Sequence, residues 1–186
     1  MTNPSPPEIV YQDVILNVDE LDFIKNYILS SEDYVKSLGP DYYEGTPPDS
    51  LGGRHVYFNY LYTPIGDILL PKLKKILMQI NYAIDPLSIQ CWANTFKKGE
   101  RIEFHRHGYN FLSSNIFICG DSKPGTIYVV NGNEILHENV PGEITIFHSE
   151  LVHGTPDYPG EDIRITMGID YHNRYMTNKN RFYNVL

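Results

Sequence analysis

Phe104-His105-Arg106-His107-Gly108 places two histidines one residue apart, and Phe147-His148-Ser149-Glu150-Leu151-Val152-His153 supplies a distant third. Eleven residues after His153 comes Arg164-Ile165-Thr166. Neutral imidazole nitrogens are transition-metal ligands, and three of them brought together make a metal site. An arginine fork matches a carboxylate through two parallel hydrogen bonds, and a hydroxyl two residues along a strand can donate to the same group. These residue types at this spacing predict a metal held by His105, His107 and His153, with a carboxylate anchored nearby by Arg164 and Thr166. All of this chemistry lies between Trp92 and Tyr171.

The elements that must position these residues read as strands. From Leu87 onward the hydrophobic period is two, and Ser88–Lys97, Arg101–His107, Phe111–Cys119, Thr126–Val130, Glu134–His137, Glu143–Phe147 and Ile163–Tyr171 are the predicted segments. Residues i and i+2 of a strand share a face, so His105 and His107 project together. In Ile163–Tyr171 the alternation puts Ile163, Ile165, Met167, Ile169 and Tyr171 on an apolar face and Arg164, Thr166, Gly168 and Asp170 on the other. A polar face of that kind on an internal strand lines a cavity; on an edge strand it would face solvent. Asn131-Gly132 is a strong hairpin signal, and Gly or Pro separates most of the other segments. Short strands at this spacing predict a β-sandwich or barrel.

The first 87 residues are less specific. Glu8–Asn17 reads as an edge strand. Asn17-Val18-Asp19-Glu20 has the form of a capping box, and Leu21, Ile24, Tyr27 and Ile28 recur at helical spacing, which predicts a helix over 18–29. A second helix is predicted over 64–83, capped by Thr63, with Leu69, Leu73, Ile76, Leu77 and Ile80 as its core stripe and Pro71 as a kink or a first turn. The segment 30–62 is broken repeatedly by Gly and Pro and carries several aromatics, which suits either a substrate flap or a surface loop. The expected organisation is one domain over 1–186: helical support and a variable loop over 1–87, a catalytic core over 88–173, and a tail over 174–186.

Composition bounds the partners. A net charge of -8 and a pI near 5.3 argue against nucleic acid, because phosphate contacts need a basic face. Cys91 and Cys119, the two cysteines, sit in apolar runs and read as buried thiols. The N-terminus has no secretory pattern and no apolar run is long enough to span a bilayer, so a cytoplasmic protein without a membrane partner is expected. His55, His137, His172 and Trp92 read as surface or packing residues, and His148 as a neighbour of the site rather than a ligand.

Taken together, His105-Arg106-His107, His153 and Arg164-Ile165-Thr166 resemble the motif of the iron(II)- and 2-oxoglutarate-dependent oxygenase superfamily. That motif is His-x-Asp/Glu, a distal His, and about ten residues later Arg followed at +2 by Ser or Thr. The surrounding text, Trp92-Ala-Asn-Thr-Phe-Lys-Lys-Gly99, His105 to Ser113 and Pro141 to His153, resembles a prolyl-hydroxylase-like branch found in phage and marine bacteria. The resemblance covers roughly residues 88–172. It implies a double-stranded β-helix (jelly roll) core with flanking helices. It also implies iron(II), 2-oxoglutarate as cosubstrate and O2, with hydroxylation of a peptide side chain or small metabolite and release of succinate and CO2. Phage-encoded, such an enzyme would act in the host cytoplasm. On the same resemblance the 5-carboxylate of the cosubstrate pairs with Arg164 and Thr166, while Asn94, Ser113 and Asn115 lie on inner faces within reach of it. No catalytic side chain beyond the metal ligands is implied.

His107 departs from the motif, since the superfamily has a carboxylate there. A three-histidine site carries one negative charge fewer, and its imidazoles must be neutral to bind. A carboxylate from elsewhere, Glu103 or Glu150, could complete the set, and Glu103, on the face of His105, is the better placed. Two other readings stand beside the oxygenase. One is a cupin-like three-histidine metalloprotein, either a zinc hydrolase or a dioxygenase independent of 2-oxoglutarate. The other is a non-catalytic jelly-roll binding module. Neither substrate identity nor oligomeric state is written in the sequence.

Overall fold

A computed structural model describes residues 9–37, 58–82, 87–108, 112–173 and 183–185. Its strands are β1 (Ile9–Val14), β2 (Leu87–Phe96), β3 (Ile102–His105), β4 (Leu112–Cys119), β5 (Thr126–Val130), β6 (Asn133–His137), β7 (Glu143–His148), β8 (His153–Thr155), β9 (Arg164–His172) and β10 (Tyr183–Val185). Two helices, α1 (Val18–Ser37) and α2 (Pro64–Gln79), precede β2. A six-stranded sheet has the order β1-β7-β4-β9-β2-β10 and a four-stranded sheet the order β3-β8-β5-β6. Their pairings are antiparallel throughout. These two sheets are the mainly β, helix-flanked jelly roll expected from the sequence.

The period-two pattern of β9 decides how the layers assemble. Ile165, Met167, Ile169 and Tyr171 face away from the small sheet and join one large core with Ile89, Cys91 and Ala93 of β2, Ile116 and Ile118 of β4, and Ile144 and Ile146 of β7. The helices complete that core through Ile24, Ile28 and Val35 of α1 and Leu69, Leu73, Ile76 and Leu77 of α2. Because this face is so apolar, the opposite face of the same strands is released for polar residues between the two sheets. β9 lies between β4 and β2 and is buried along its whole length, so its Arg-Thr-Gly-Asp face lines the interior and not solvent.

Helix α1 starts on the expected capping box: the Glu20 N–H donates to Asn17 Oδ1 and the Asn17 N–H to Glu20 Oε2, both at 2.9 Å. It runs eight residues past the predicted end at 29. The Ser30 and Ser31 hydroxyls turn back to the carbonyls of Tyr27 and Ile28, and Val35 beyond them is fully buried. Helix α2 begins on its Thr63 cap and runs through Pro71 to Gln79, four residues short of the expected end at 83, because Ile80 caps it and Asn81 turns to positive φ. Of the poorly legible segment, 38–57 also lies outside them. Its last residues form a 3-10 turn (Tyr60–Tyr62) fixed to β2, where Asn59 donates to the Ile89 carbonyl at 2.9 Å and accepts from the N–H groups of Leu61 and Cys91. That piece, with Tyr60 buried, is a core anchor and not a flap.

The large sheet takes in β1, the expected edge strand, and also β10 from the tail. The Asn131-Gly132 hairpin forms between β5 and β6 with both residues at positive φ, 53° and 77°, the backbone a two-residue hairpin requires. Cys91 and Cys119 are free thiols. No helix among the described residues is long and apolar enough to cross a membrane.

Candidate metal centre

Strand pairing brings the first two histidines together: His105 on β3 stands directly opposite His153 on β8, and Tyr128 on β5 is the other cross-strand neighbour of His153. His153 is held from behind by Phe147, edge-on at 4.7 Å between centroids, and by Tyr128 at 6.1 Å. His107 arrives differently from the expectation. β3 ends at His105 with its register shifted, so strand alternation does not carry His107 to the site. The His107 N–H instead donates to the Ser149 carbonyl at 2.8 Å, which ties it to the turn leading into β8. Its ring stacks on that of His153 at 5.1 Å and lies tilted, 5.0 Å from that of His105.

The ligating atoms of these three residues lie within 4.8 Å of one another, and they form the one such histidine, cysteine or carboxylate group among the described residues. Their hydrogen bonds set the tautomers. His105 Nδ1 lies 2.8 Å from the Glu103 carbonyl and His153 Nδ1 2.9 Å from the Leu151 carbonyl. A carbonyl only accepts, so each Nδ1 carries the proton and each Nε2 the lone pair. His107 Nδ1 faces the Asp170 carboxylate at 3.1 Å, with the same consequence. His107 Nε2 and His153 Nε2 are 3.3 Å apart. Two nitrogens bound to one metal at about 2.1 Å stand roughly 3.0–3.4 Å from each other for bond angles between the octahedral and tetrahedral values. The His107–His153 pair is thus at the spacing of two ligands on one divalent transition metal, and His105 completes a three-nitrogen donor set.

Glu103 and Glu150, the carboxylates considered as replacements for His107, are both directed elsewhere. Glu103 pairs with Arg101 and Glu150 with Arg106, at the surface. The carboxylate that does reach the site is Asp170, buried at the end of the polar face of β9 and fixed by the Ser113 hydroxyl, which donates to it at 2.8 Å. Burial alone would raise its pKa, but its pairing with His107 and the hydrogen bond from Ser113 outweigh it and hold the carboxyl below its ordinary range. Sequence parity had put Asp170 on the right face; its use was hidden, since its partner His107 lies off a strand.

Arg164 opens on the same cavity. Among the described residues it is the largest fully buried side chain, at 0% exposure. One hydrogen bond, Nη1 to the Pro124 carbonyl at 3.1 Å, is its link to the protein, with Phe96 stacked 5.2 Å from the guanidinium. Nε and Nη2 are buried without a partner. Burial pulls its pKa down to about 10, still leaving a cation at neutral pH. An uncompensated buried charge is costly, and here the missing element is an anion. Thr166 lies beside it, and Asn94 Nδ2 donates to Thr166 Oγ1 at 3.2 Å. Asn94 and Asn115 line the cavity together with the three histidines, Arg164 and Thr166. Ser113 is on the expected face, but its hydroxyl serves Asp170. His148 is half-buried at the end of β7 and outside the ligand group. Trp92, expected as packing, lines the cavity across from Gly168.

Several solved structures share this architecture. A prolyl-4-hydroxylase of Pseudomonas putida superposes with a TM-score of 0.64 at 15% identity, over 89% of this chain and 92% of that one. SnoK, a non-heme alpha-ketoglutarate-dependent carbocyclase from nogalamycin biosynthesis, gives 0.62 at 12% identity over 84% and 76%. HygX from Streptomyces hygroscopicus, solved with nickel and 2-oxoglutarate bound, gives 0.59 at 11% identity over 88% and 82%. No family model and no curated protein sequence matches the chain. At these identities the likeness establishes the fold: the chain has the jelly roll of the iron(II)- and 2-oxoglutarate-dependent oxygenases.

Proposed function

We propose that this protein is an iron(II)- and 2-oxoglutarate-dependent oxygenase that hydroxylates a C–H bond of a small-molecule or peptide substrate. The observation that carries the reading is the buried Arg164, whose Nε and Nη2 lack partners beside a three-histidine cluster. A metal site alone would suit a hydrolase; a buried, unpaired guanidinium in the same cavity has a purpose only if an anionic ligand spans the two.

His105, His107 and His153 would hold iron(II) through Nε2. Arg164 would take the distal carboxylate of 2-oxoglutarate with its two unpartnered N–H groups, and Thr166 would donate its hydroxyl to the same carboxylate. Asn94 donates to that hydroxyl, and Asn115 adds a polar wall. Bound iron(II) supplies the oxidative chemistry: 2-oxoglutarate and O2 yield succinate and CO2, and one oxygen atom enters the substrate C–H bond. The protein's own part is to fix the cosubstrate and to shield the reaction with the apolar rings of Phe96, Phe147 and Tyr128. The net charge of -8 disfavours nucleic acid as substrate.

The test is substrate-independent turnover. Protein with iron(II), ascorbate, 2-oxoglutarate and air is expected to release succinate slowly, and His153→Ala is expected to release none. Absence of succinate from the parent protein, together with absence of 2-oxoglutarate binding, would overturn the assignment.

A further inference from the structure

The site lacks the carboxylate ligand of the usual motif, and the structure places a carboxylate one residue further out. His105 and His153 direct Nδ1 at neutral backbone carbonyls, whereas His107, the residue standing where the motif has Asp or Glu, directs Nδ1 at Asp170. Asp170 is 8% exposed, accepts a second hydrogen bond from Ser113 Oγ at 2.8 Å, and lies on the side of the His107 ring away from the metal-facing Nε2. A histidine whose second nitrogen donates to a carboxylate is a more basic ligand of fixed tautomer, and loss of such a partner typically lowers metal affinity about 10–100-fold.

We propose that Asp170 is a positioning residue that supplies, through His107, the negative charge which a carboxylate ligand would otherwise bring to the metal. The proposal rests on the three-histidine reading above. Charge balance supports it. A divalent metal with three neutral imidazoles, a doubly charged cosubstrate and the Arg164 cation leaves one positive charge in a buried cavity, and Asp170 cancels it. The arrangement also explains why β9 carries an acid in its buried stretch and why β4 presents a serine there: Ser113 and Asp170 are direct cross-strand partners. Asp170 does not touch the ligand positions, so its influence passes through the imidazole.

The experiment compares the parent protein with Asp170→Asn, which keeps the shape and an acceptor but loses the charge, and with Ser113→Ala, which frees the carboxylate from its second anchor. Anaerobic iron(II) binding by calorimetry and the Fe(III)/Fe(II) potential of the loaded protein are the readouts. Asp170→Asn is expected to weaken iron(II) binding about 10–100-fold and to move the potential positive, since removing a negative charge penalises the ferric state more. Ser113→Ala is expected to show a smaller loss in the same direction. Parental affinity and potential in Asp170→Asn, with His153→Ala abolishing binding, would overturn the role of Asp170 and leave the metal site standing. Absence of iron(II) binding by the parent would remove both.

Discussion

A β-carbon added at Gly168 would lie 2.6 Å from Cε2 of Trp92, its direct cross-strand neighbour. The indole lies flat across the one residue of the β9 polar face that has no side chain, and both line the cavity. Trp92 is the sole tryptophan, and its ring is 6.1 Å from that of His107. Gly168→Ala must displace it. The expected cost is about 1–3 kcal/mol of stability from overpacking, together with weaker metal and 2-oxoglutarate binding and a changed emission spectrum. Thermal melts and Trp92 fluorescence measure both; an unchanged spectrum would show that the indole is not where the structure puts it.

Arg164 sets stability against function. Replacing a buried, unpaired charge by an apolar side chain of similar length is commonly neutral or stabilising. Arg164→Met is therefore expected to keep or raise the Tm of the ligand-free protein. The same change removes hydrogen bonds to a charged ligand, each worth about 1.5–3 kcal/mol, and should raise the Kd for 2-oxoglutarate at least 10-fold. Melting and calorimetry on one preparation test the two halves together. A large drop in Tm with unaltered 2-oxoglutarate binding would mean that Arg164 is a structural residue.

Legibility in the sequence followed secondary-structure regularity. β9 was readable in full, because a strand buried on both faces between β4 and β2 still showed strict alternation of aliphatic with Arg, Thr, Gly and Asp. The convergence of His105 with His153 could be anticipated from the motif. His107 does join His105 and His153, but a loop hydrogen bond and not the expected strand parity delivers it. β8 is three residues long and β10 is another such fragment; neither has enough residues to show a period. Asp170 and Asn59 act through partners far away in sequence, and no local pattern announces such contacts.

Asn59 is the clearest of these. It fixes the turn before α2 to β2 with three hydrogen bonds, two of them to backbone N–H groups that have been removed from water. Asn59→Ala strands those groups, and a loss of about 2–4 kcal/mol is expected, read as a lower urea midpoint with an unchanged slope. A change below about 0.5 kcal/mol, the range of ordinary surface substitutions, would contradict the anchoring role.

The capping box of α1 makes a pH prediction. Burial tends to raise the Glu20 pKa, but the backbone hydrogen bond from Asn17 and the ion pair with Lys72 lower it overall. A carboxylate with a depressed folded-state pKa contributes stability above its ordinary value of 4.5, and this is lost as pH falls through the folded-state value. Asn17→Ala is expected to cost about 1 kcal/mol at pH 7. Glu20→Gln should flatten the acid limb of the Tm-against-pH curve below pH 4.5. An acid limb identical to that of the parent would contradict the cap.

The central claim is that one cavity binds a metal at three histidines and a dicarboxylate at Arg164 simultaneously. Its most direct test is an anaerobic titration of the iron(II)-loaded protein with 2-oxoglutarate, followed through the weak visible metal-to-ligand charge-transfer band, in the parent, Arg164→Ala and His107→Ala. The expected result is a saturable band in the parent that requires at least 10-fold more 2-oxoglutarate in Arg164→Ala and is absent in His107→Ala. Tight zinc binding with no band on adding iron(II) and 2-oxoglutarate would contradict the account and leave a hydrolytic metal centre in its place.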